Sequence, residues 1–345
     1  MGLLATSICS WSARGLLVFQ VLLSVTTALE GATSTTFGTL AKTGSTSGEV
    51  CLHDSHHLLH CMDSPDATKT RGISQELLEQ LKLFAQYSAA TYCPDNNNSP
   101  NTTISCGESH KCPLVEAVNA TSSAEWEERK PYDDHGYIAV DDVHRTVVLA
   151  FRGAQSATNW RHSLNAHHVD SDFCDDCKVH NGFWKMWTDI REKVFADVDR
   201  TLAKYPGYRF VITGHSLGGA LATLAAGSFR MRDDRYANLT EVFTYGSPRV
   251  GTGMTAAFLT RQSDKSYRVT SGKDLIPRLP PAFLGYLHVS PEYWIKNYFT
   301  DPKPGDIDVL TGAYNNQGNA GIKHGHMRKK YHRQYFMKRI SGCKA

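Results

Sequence analysis

The chain has 345 residues, with 37 Lys and Arg against 34 Asp and Glu and a formal net charge of +3. That length buries a large core and fits one sizeable domain preceded by leader and pro-segments. So small a net charge gives no global case for nucleic-acid binding.

The start reads as secretory. Arg14 precedes the apolar run LLVFQVLLSV, which is too short to span a bilayer, and Thr26-Thr27-Ala28 is a small-residue cleavage site. We expect residues 1–28 to be a signal peptide. An uncleaved anchor is the alternative, and the short run argues against it. No other stretch is long enough for a transmembrane helix, so the mature protein is expected to be secreted, with no transmembrane segment. Residues 29–72 are rich in Thr, Ser, Gly and His, and are expected to be a propeptide or disordered lead. Their cluster His56-His57-Leu58-Leu59-His60 reads as a solvated patch rather than a metal trap. Lys69-Thr70-Arg71 is a candidate processing site, although not a clean dibasic pair.

The first helix signal begins at Ser74, a good N-cap, with Glu76 in the first turn and Leu77, Leu78, Leu81, Phe84 and Ala85 on one face. Four sequons, at Asn97, Asn101, Asn119 and Asn238, are candidate glycan acceptors, the first weakened by Pro100. Strands are expected over 136–141 and 146–151. Met186, Ile190, Val194 and Val198 predict a helix over about 183–204, stopped by Pro206. Strands at 208–213, 241–245 and 267–270 follow, with helices after Ser216 and near 253–262. Alternating strands and helices argue for an α/β architecture with a mainly parallel, covered sheet.

Eight cysteines lie beyond the signal segment: Cys51, Cys61, Cys93, Cys106, Cys112, Cys174, Cys177 and Cys343. An even count in a secreted chain reads as disulfides. Cys174-Asp-Asp-Cys177 resembles half a zinc site, but no second C-x-x-C partners it, so no metal is expected.

The densest signal is VITGHSLGGA at 211–220. An apolar β-branched run, Gly214-His215-Ser216-Leu217-Gly218 and a small-residue helix spell out a nucleophile elbow with Ser216 at its tip. The turn is so sharp that side chains two before and two after the serine would collide, hence the two glycines. The helix N-terminus and a free N–H then favour an oxyanion. A serine nucleophile needs a base, and the base needs a carboxylate. Asp274 is the best acid, because it sits just past the strand at 267–270, where sheet-end loops build sites. Asp301, Asp306 and Asp308 follow no strand and rank lower. The base must come after Asp274, which leaves His288, His324, His326 and His332; position does not choose among them. His215 is too constrained by the elbow to serve, and is expected to pack or hydrogen-bond beneath the turn.

GHSLGG, YGSPRVG (245–251), DLIPRLPP (274–281), SPEYWIK (290–296), FRGAQSATNW (151–160) and FAQYSAATYC (84–93) together resemble the secreted fungal class 3 lipases of the Rhizomucor–Thermomyces type, in order from about residue 74 to 343. The resemblance implies an α/β-hydrolase fold over 73–345 with a short lid and no cofactor. It implies Ser216 as nucleophile, Asp274 as orienting acid, His332 as base, and the N–H groups of Ala154 and Leu217 as oxyanion donors. It pairs Cys93 with Cys343, Cys106 with Cys112 and Cys174 with Cys177, which leaves Cys51 with Cys61.

Three residues or segments depart from the pattern. Ala154 stands where many members carry Ser or Thr, whose hydroxyl adds an oxyanion contact. The expected lid, 157–163, keeps Trp160 but carries Arg161 and His162 where an apolar face would dock on lipid. Arg333 follows the implied base within a basic run, which reads either as a solvated helix face or as a cationic rim favouring anionic lipid. The expected activity is triacylglycerol-type ester hydrolysis at an oil–water or membrane surface. A phospholipase A1 or a feruloyl-type esterase on the same scaffold is the alternative, and a catalytically decayed lipid-binding protein is the remote one.

Overall fold

The computed structural model describes residues 50–53, 59–62, 67–97, 99–128, 134–155, 166–296, 301–312, 314–322 and 330–343. The expected signal peptide, the lid with Trp160 and Arg161, and His324 and His326 lie outside these residues. Contacts divide the chain into Met1–Gly44 with Leu52–Leu59, and Ser45–Cys51 with His60–Ala345. The second unit holds the main sheet and all the helices described below.

Strands β1 (Val50–His53) and β2 (Leu59–Met62) pair with each other. The remaining strands are β3 (Lys69–Arg71), β4 (Thr121–Glu128), β5 (Asp134–Asp141), β6 (Thr146–Phe151), β7 (His168–Asp170), β8 (Lys178–His180), β9 (Arg209–His215), β10 (Thr240–Tyr245), β11 (Gly251–Thr252), β12 (Ser266–Ser271), β13 (Tyr286–Leu287), β14 (Glu292–Ile295) and β15 (Ile307–Leu310). The helices are α1 (Gln75–Ala90), α2 (Pro113–Ala117), α3 (Asn181–Lys204), α4 (Leu217–Arg232), α5 (Asp234–Leu239) and α6 (Gly253–Arg261).

The nine-stranded sheet runs β3-β15-β14-β12-β10-β9-β6-β5-β4. Its central strands β6, β9, β10, β12 and β14 are parallel, and two antiparallel strands close each edge. Side chains alternate along each central strand. Phe210 and Ile212 join the cluster with α3 and α4, while Val211 joins the one beneath α1 with Phe243 and Val269. A sheet covered on both faces explains why these strands read as continuous apolar runs rather than alternating ones.

Ser74 caps α1 by accepting from Leu77 N at 3.1 Å. Helix α3 starts two residues before the expected position because His180 Nδ1 caps it, accepting from Phe183 N at 3.3 Å. Residues 69–71, read from sequence as the end of the lead, are instead β3, paired with β15. This edge strand is exposed on both faces, so it has no apolar periodicity to betray it; Lys69 is held by Asp308 at 3.0 Å.

His135 on β5 is 2% exposed, and neither ring nitrogen is hydrogen-bonded among the described residues. Burial first, then the positive charge of Arg152, pushes its pKa from 6.5 down to about 3. The folded state keeps it neutral, whereas the unfolded chain takes up a proton below pH 6.5. Its stabilisation is therefore complete above that pH and is lost as pH falls from 6.5 toward 3. The loss is about 1.4 kcal/mol per pH unit. Urea midpoints measured from pH 7 to 4 should fall more gently in His135→Gln than in the parent, and equal slopes would refute this assignment.

Candidate active site

Ser216 sits between the end of β9 and the start of α4, at φ 60° and ψ −128°. A non-glycine residue holds such a backbone only where its surroundings enforce it. A Cβ on Gly214 would lie 2.2 Å from Gly218 O, and one on Gly218 would lie 2.2 Å from Phe151 O. Both elbow glycines are therefore required by space. Ser216 N donates to Tyr245 O at 2.9 Å, which ties the tip to β10. The loop after β6 runs against the elbow: a Cβ on Gly153 would sit 3.1 Å from Ser216 Cβ. Ala154 follows it, and no described residue accepts from the N–H of Ala154 or of Leu217.

Asp274 follows β12 and is fully buried. Its Oδ1 accepts from Ile276 N at 3.0 Å, and its Oδ2 accepts from Tyr335 Oη at 2.6 Å and His332 Nδ1 at 2.9 Å. With Nδ1–H donating to the carboxylate, Nε2 carries the lone pair and accepts from Ser216 Oγ at 2.8 Å. This arrangement can draw the proton from the serine hydroxyl and stabilise the resulting imidazolium. Gly246 makes room for it, since its φ is +60° and a Cβ there would lie 2.9 Å from Asp274 Oδ2 and 3.1 Å from His332 Nδ1.

His215 braces His332. Its Nε2 lies 2.7 Å from His332 O, and its Nδ1 lies 2.7 Å from Tyr92 Oη. A carbonyl only accepts, so Nε2–H donates and Nδ1 accepts from the Tyr92 hydroxyl. Burial, aided by His332, holds the His215 pKa well below the usual histidine range, so the ring stays neutral.

Tyr335 and Asn319 were not singled out from sequence. Asn319 Nδ2 donates to Asp274 O at 2.9 Å and to Gly272 O at 3.3 Å, which pins the acid loop. Tyr335 was legible as part of His332-Arg333-Gln334-Tyr335-Phe336; Asn319 lies in a Gly/Asn-rich stretch with no signal. Removing the hydroxyl in Tyr335→Phe should cost about 1.5–3 kcal/mol, the worth of a hydrogen bond to a charged group. It should also lower kcat by up to about tenfold, with KM unchanged. Full kcat would show that Asp274 needs no second donor.

The other candidates lie elsewhere. His288 is bonded to Pro277 O, and burial with Arg268 and Arg249 holds it well below the usual histidine range. Asp301 pairs with Lys82 and Lys303, and Asp308 with Lys69 and Lys296. Disulfides join Cys93 to Cys343, Cys106 to Cys112 and Cys174 to Cys177. The side chains of Cys51 and Cys61 are outside the described residues. Asn101, Asn119 and Asn238 are exposed, whereas Asn97 is half-buried.

A family model described as lipase (class 3) matches residues 148–284, and one described as lipase 3 N-terminal region matches 41–123. The secreted mono- and diacylglycerol lipase A of Penicillium cyclopium is 38% identical over 263 residues, 74% of this chain and 83% of the relative. The secreted mono- and diacylglycerol lipase 1 of Fusarium solani is 34% identical over 251 residues, 72% of this chain and 73% of the relative. The solved mono- and diacylglycerol lipase of Aspergillus oryzae superposes with a TM-score of 0.72 at 34% identity, covering 79% of this chain and 100% of that one. The elbow, the sheet that carries it and these likenesses agree: the chain belongs to the class 3 lipases, with an α/β-hydrolase fold.

Proposed function

We propose that the chain is a secreted serine hydrolase that cleaves acylglycerol esters through an acyl-enzyme on Ser216. One observation carries the reading: the unbroken relay from Ser216 Oγ through His332 to Asp274, at 2.8 Å and 2.9 Å. Ser216 Oγ attacks the ester carbonyl carbon while His332 Nε2 takes its proton. Asp274 holds the tautomer and stabilises the imidazolium. The N–H groups of Leu217 and Ala154 receive the oxyanion, and Leu217 adds the helix N-terminus. The imidazolium then protonates the leaving alcohol, and water, activated by the same histidine, releases the acid. Ala154 brings no hydroxyl to the oxyanion, a contact worth about 3 kcal/mol where it exists.

The names of the Penicillium cyclopium and Fusarium solani relatives support acylglycerols as substrates and an extracellular location. They also direct attention to mono- and diacylglycerols beside the triacylglycerols expected from sequence. Removal of residues 1–28 belongs to the same reading, and a later cut that leaves the main sheet intact falls before Lys69, because β3 pairs with β15. Glycans on Asn101, Asn119 and Asn238 are compatible with the exposure of those side chains.

The test is the hydrolysis rate of a short-chain ester carried through its solubility limit, with Ser216→Ala as control. A rate that jumps when droplets form, absent in the variant, supports a lipase acting at interfaces. A smooth saturating curve would shift the reading to an esterase. Parallel assays on mono-, di- and triolein then rank the acylglycerols, and activity confined to phospholipid or feruloyl esters would overturn the acylglycerol assignment.

A further inference from the structure

Charge is segregated along this chain. Residues 309–345 hold eight of the 37 Lys and Arg and none of the 34 Asp and Glu. The residues before them carry 29 Lys and Arg against the full 34 acids, so the body is net acidic and the C-terminal segment strongly basic. That segment includes His332, the base of the site.

Its described part is not a helix face. Tyr331–Arg333 form one 3₁₀ turn, and the chain then bends on itself. Ile340 N donates to Arg333 O at 2.8 Å, which brings Lys338 and Arg339 back beside Arg333. The Cys93–Cys343 disulfide pins the end of this loop. Ser109 Oγ lies 3.0 Å from Cys343 Sγ, so the neighbouring loop brings Lys111 to the same surface. Burial, and then the charge of Arg339, push the Lys111 ammonium below its usual range, which places two like charges close together. Arg333, Lys338 and Arg339 are exposed. Among the described residues no ion pair engages them or Lys111.

Unpaired cations gathered on one surface repel each other and destabilise the fold slightly; an anionic partner removes that cost. We propose that the surface of Lys111, Arg333, Lys338 and Arg339 docks the protein on membranes that contain anionic phospholipid, with the active site beside the contact. The lipid phosphates supply the countercharge, so docking needs no turnover.

The experiment is vesicle flotation of the full chain carrying Ser216→Ala, so that no product forms. The vesicles are phosphatidylcholine alone and phosphatidylcholine with phosphatidylglycerol. Each near-surface cation contributes about fivefold to such binding. The phosphatidylglycerol vesicles should therefore be bound at least about tenfold more tightly than the neutral ones at low salt, with the difference gone at about 1 M salt. Arg339→Glu should weaken binding to the charged vesicles by at least about fivefold. Lys204→Glu makes the same charge change at the end of α3, before β9 enters the sheet, and should have little effect. Equal binding to the two kinds of vesicle, or equal loss in the two variants, would overturn the proposal. Because the assay needs no turnover, it stands or fails separately from the catalytic reading.

Discussion

Ser216→Ala should lower kcat on a soluble short-chain ester by about 10⁵- to 10⁶-fold, and His332→Ala should do nearly the same. Each removes the relay outright: without Oγ there is no nucleophile, and without Nε2 nothing takes its proton at 2.8 Å. The double variant should be scarcely worse than either single one, because the second deletion removes a partner already idle. Asp274→Asn should cost about 10⁴-fold. An amide can donate to His332 Nδ1, which turns the ring to the tautomer whose Nε2 bears the proton and cannot accept from Ser216. Asn at 274 also loses the charge that Tyr335 and Ile276 N now stabilise. Folding of each variant is checked by circular dichroism. A Ser216→Ala protein retaining a hundredth of the parent kcat would dismiss the acyl-enzyme.

The second large effect concerns stability. Replacing both Cys93 and Cys343 by Ser should destabilise the protein by about 3–5 kcal/mol, because the bond closes a very long loop in the unfolded chain. The bridge spans 250 residues and connects the chain just after α1 to the segment that carries His332. Activity is therefore expected to fail at lower urea than the far-ultraviolet signal does. Residues 330–343 contain no α-helix and no strand, so the disulfide is a main anchor of His332. Local opening of such a segment precedes global unfolding. Coincident loss of activity and secondary structure, at an unchanged midpoint, would show that the tether contributes nothing beyond the packing of Tyr335 and Ile340.

Much of this protein is legible in the chain because its signals are local. The elbow is written in ten consecutive residues, since a sharp strand-to-helix turn admits only glycine at 214 and 218, and the Cβ clearances bear that out. The central strands are legible from apolar runs, and α1 from its cap and face. Asp274 follows from its place after β12. His332 does not: four histidines come after Asp274, and nothing in their neighbours separates them until the motif around His332 is matched to a family.

What decided the rest is distance along the chain. His332 meets Ser216 across 116 residues, and Tyr92 reaches His215 across 123. Asn319 and Tyr335 reach Asp274 across 45 and 61 residues. No periodicity encodes such contacts; they exist only once the sheet order has set the loops after β9, β12 and β15 side by side. Strand β3 is the same case, since its three exposed residues become a strand only because β15 presents an unpaired edge. The sequence by itself determined the elbow that presents Ser216 and the covered parallel sheet, because turn sterics and apolar burial act between near neighbours. The tertiary structure alone decided how His332 and Asp274 are held and oriented, because those hydrogen bonds join segments that only the completed fold brings within reach.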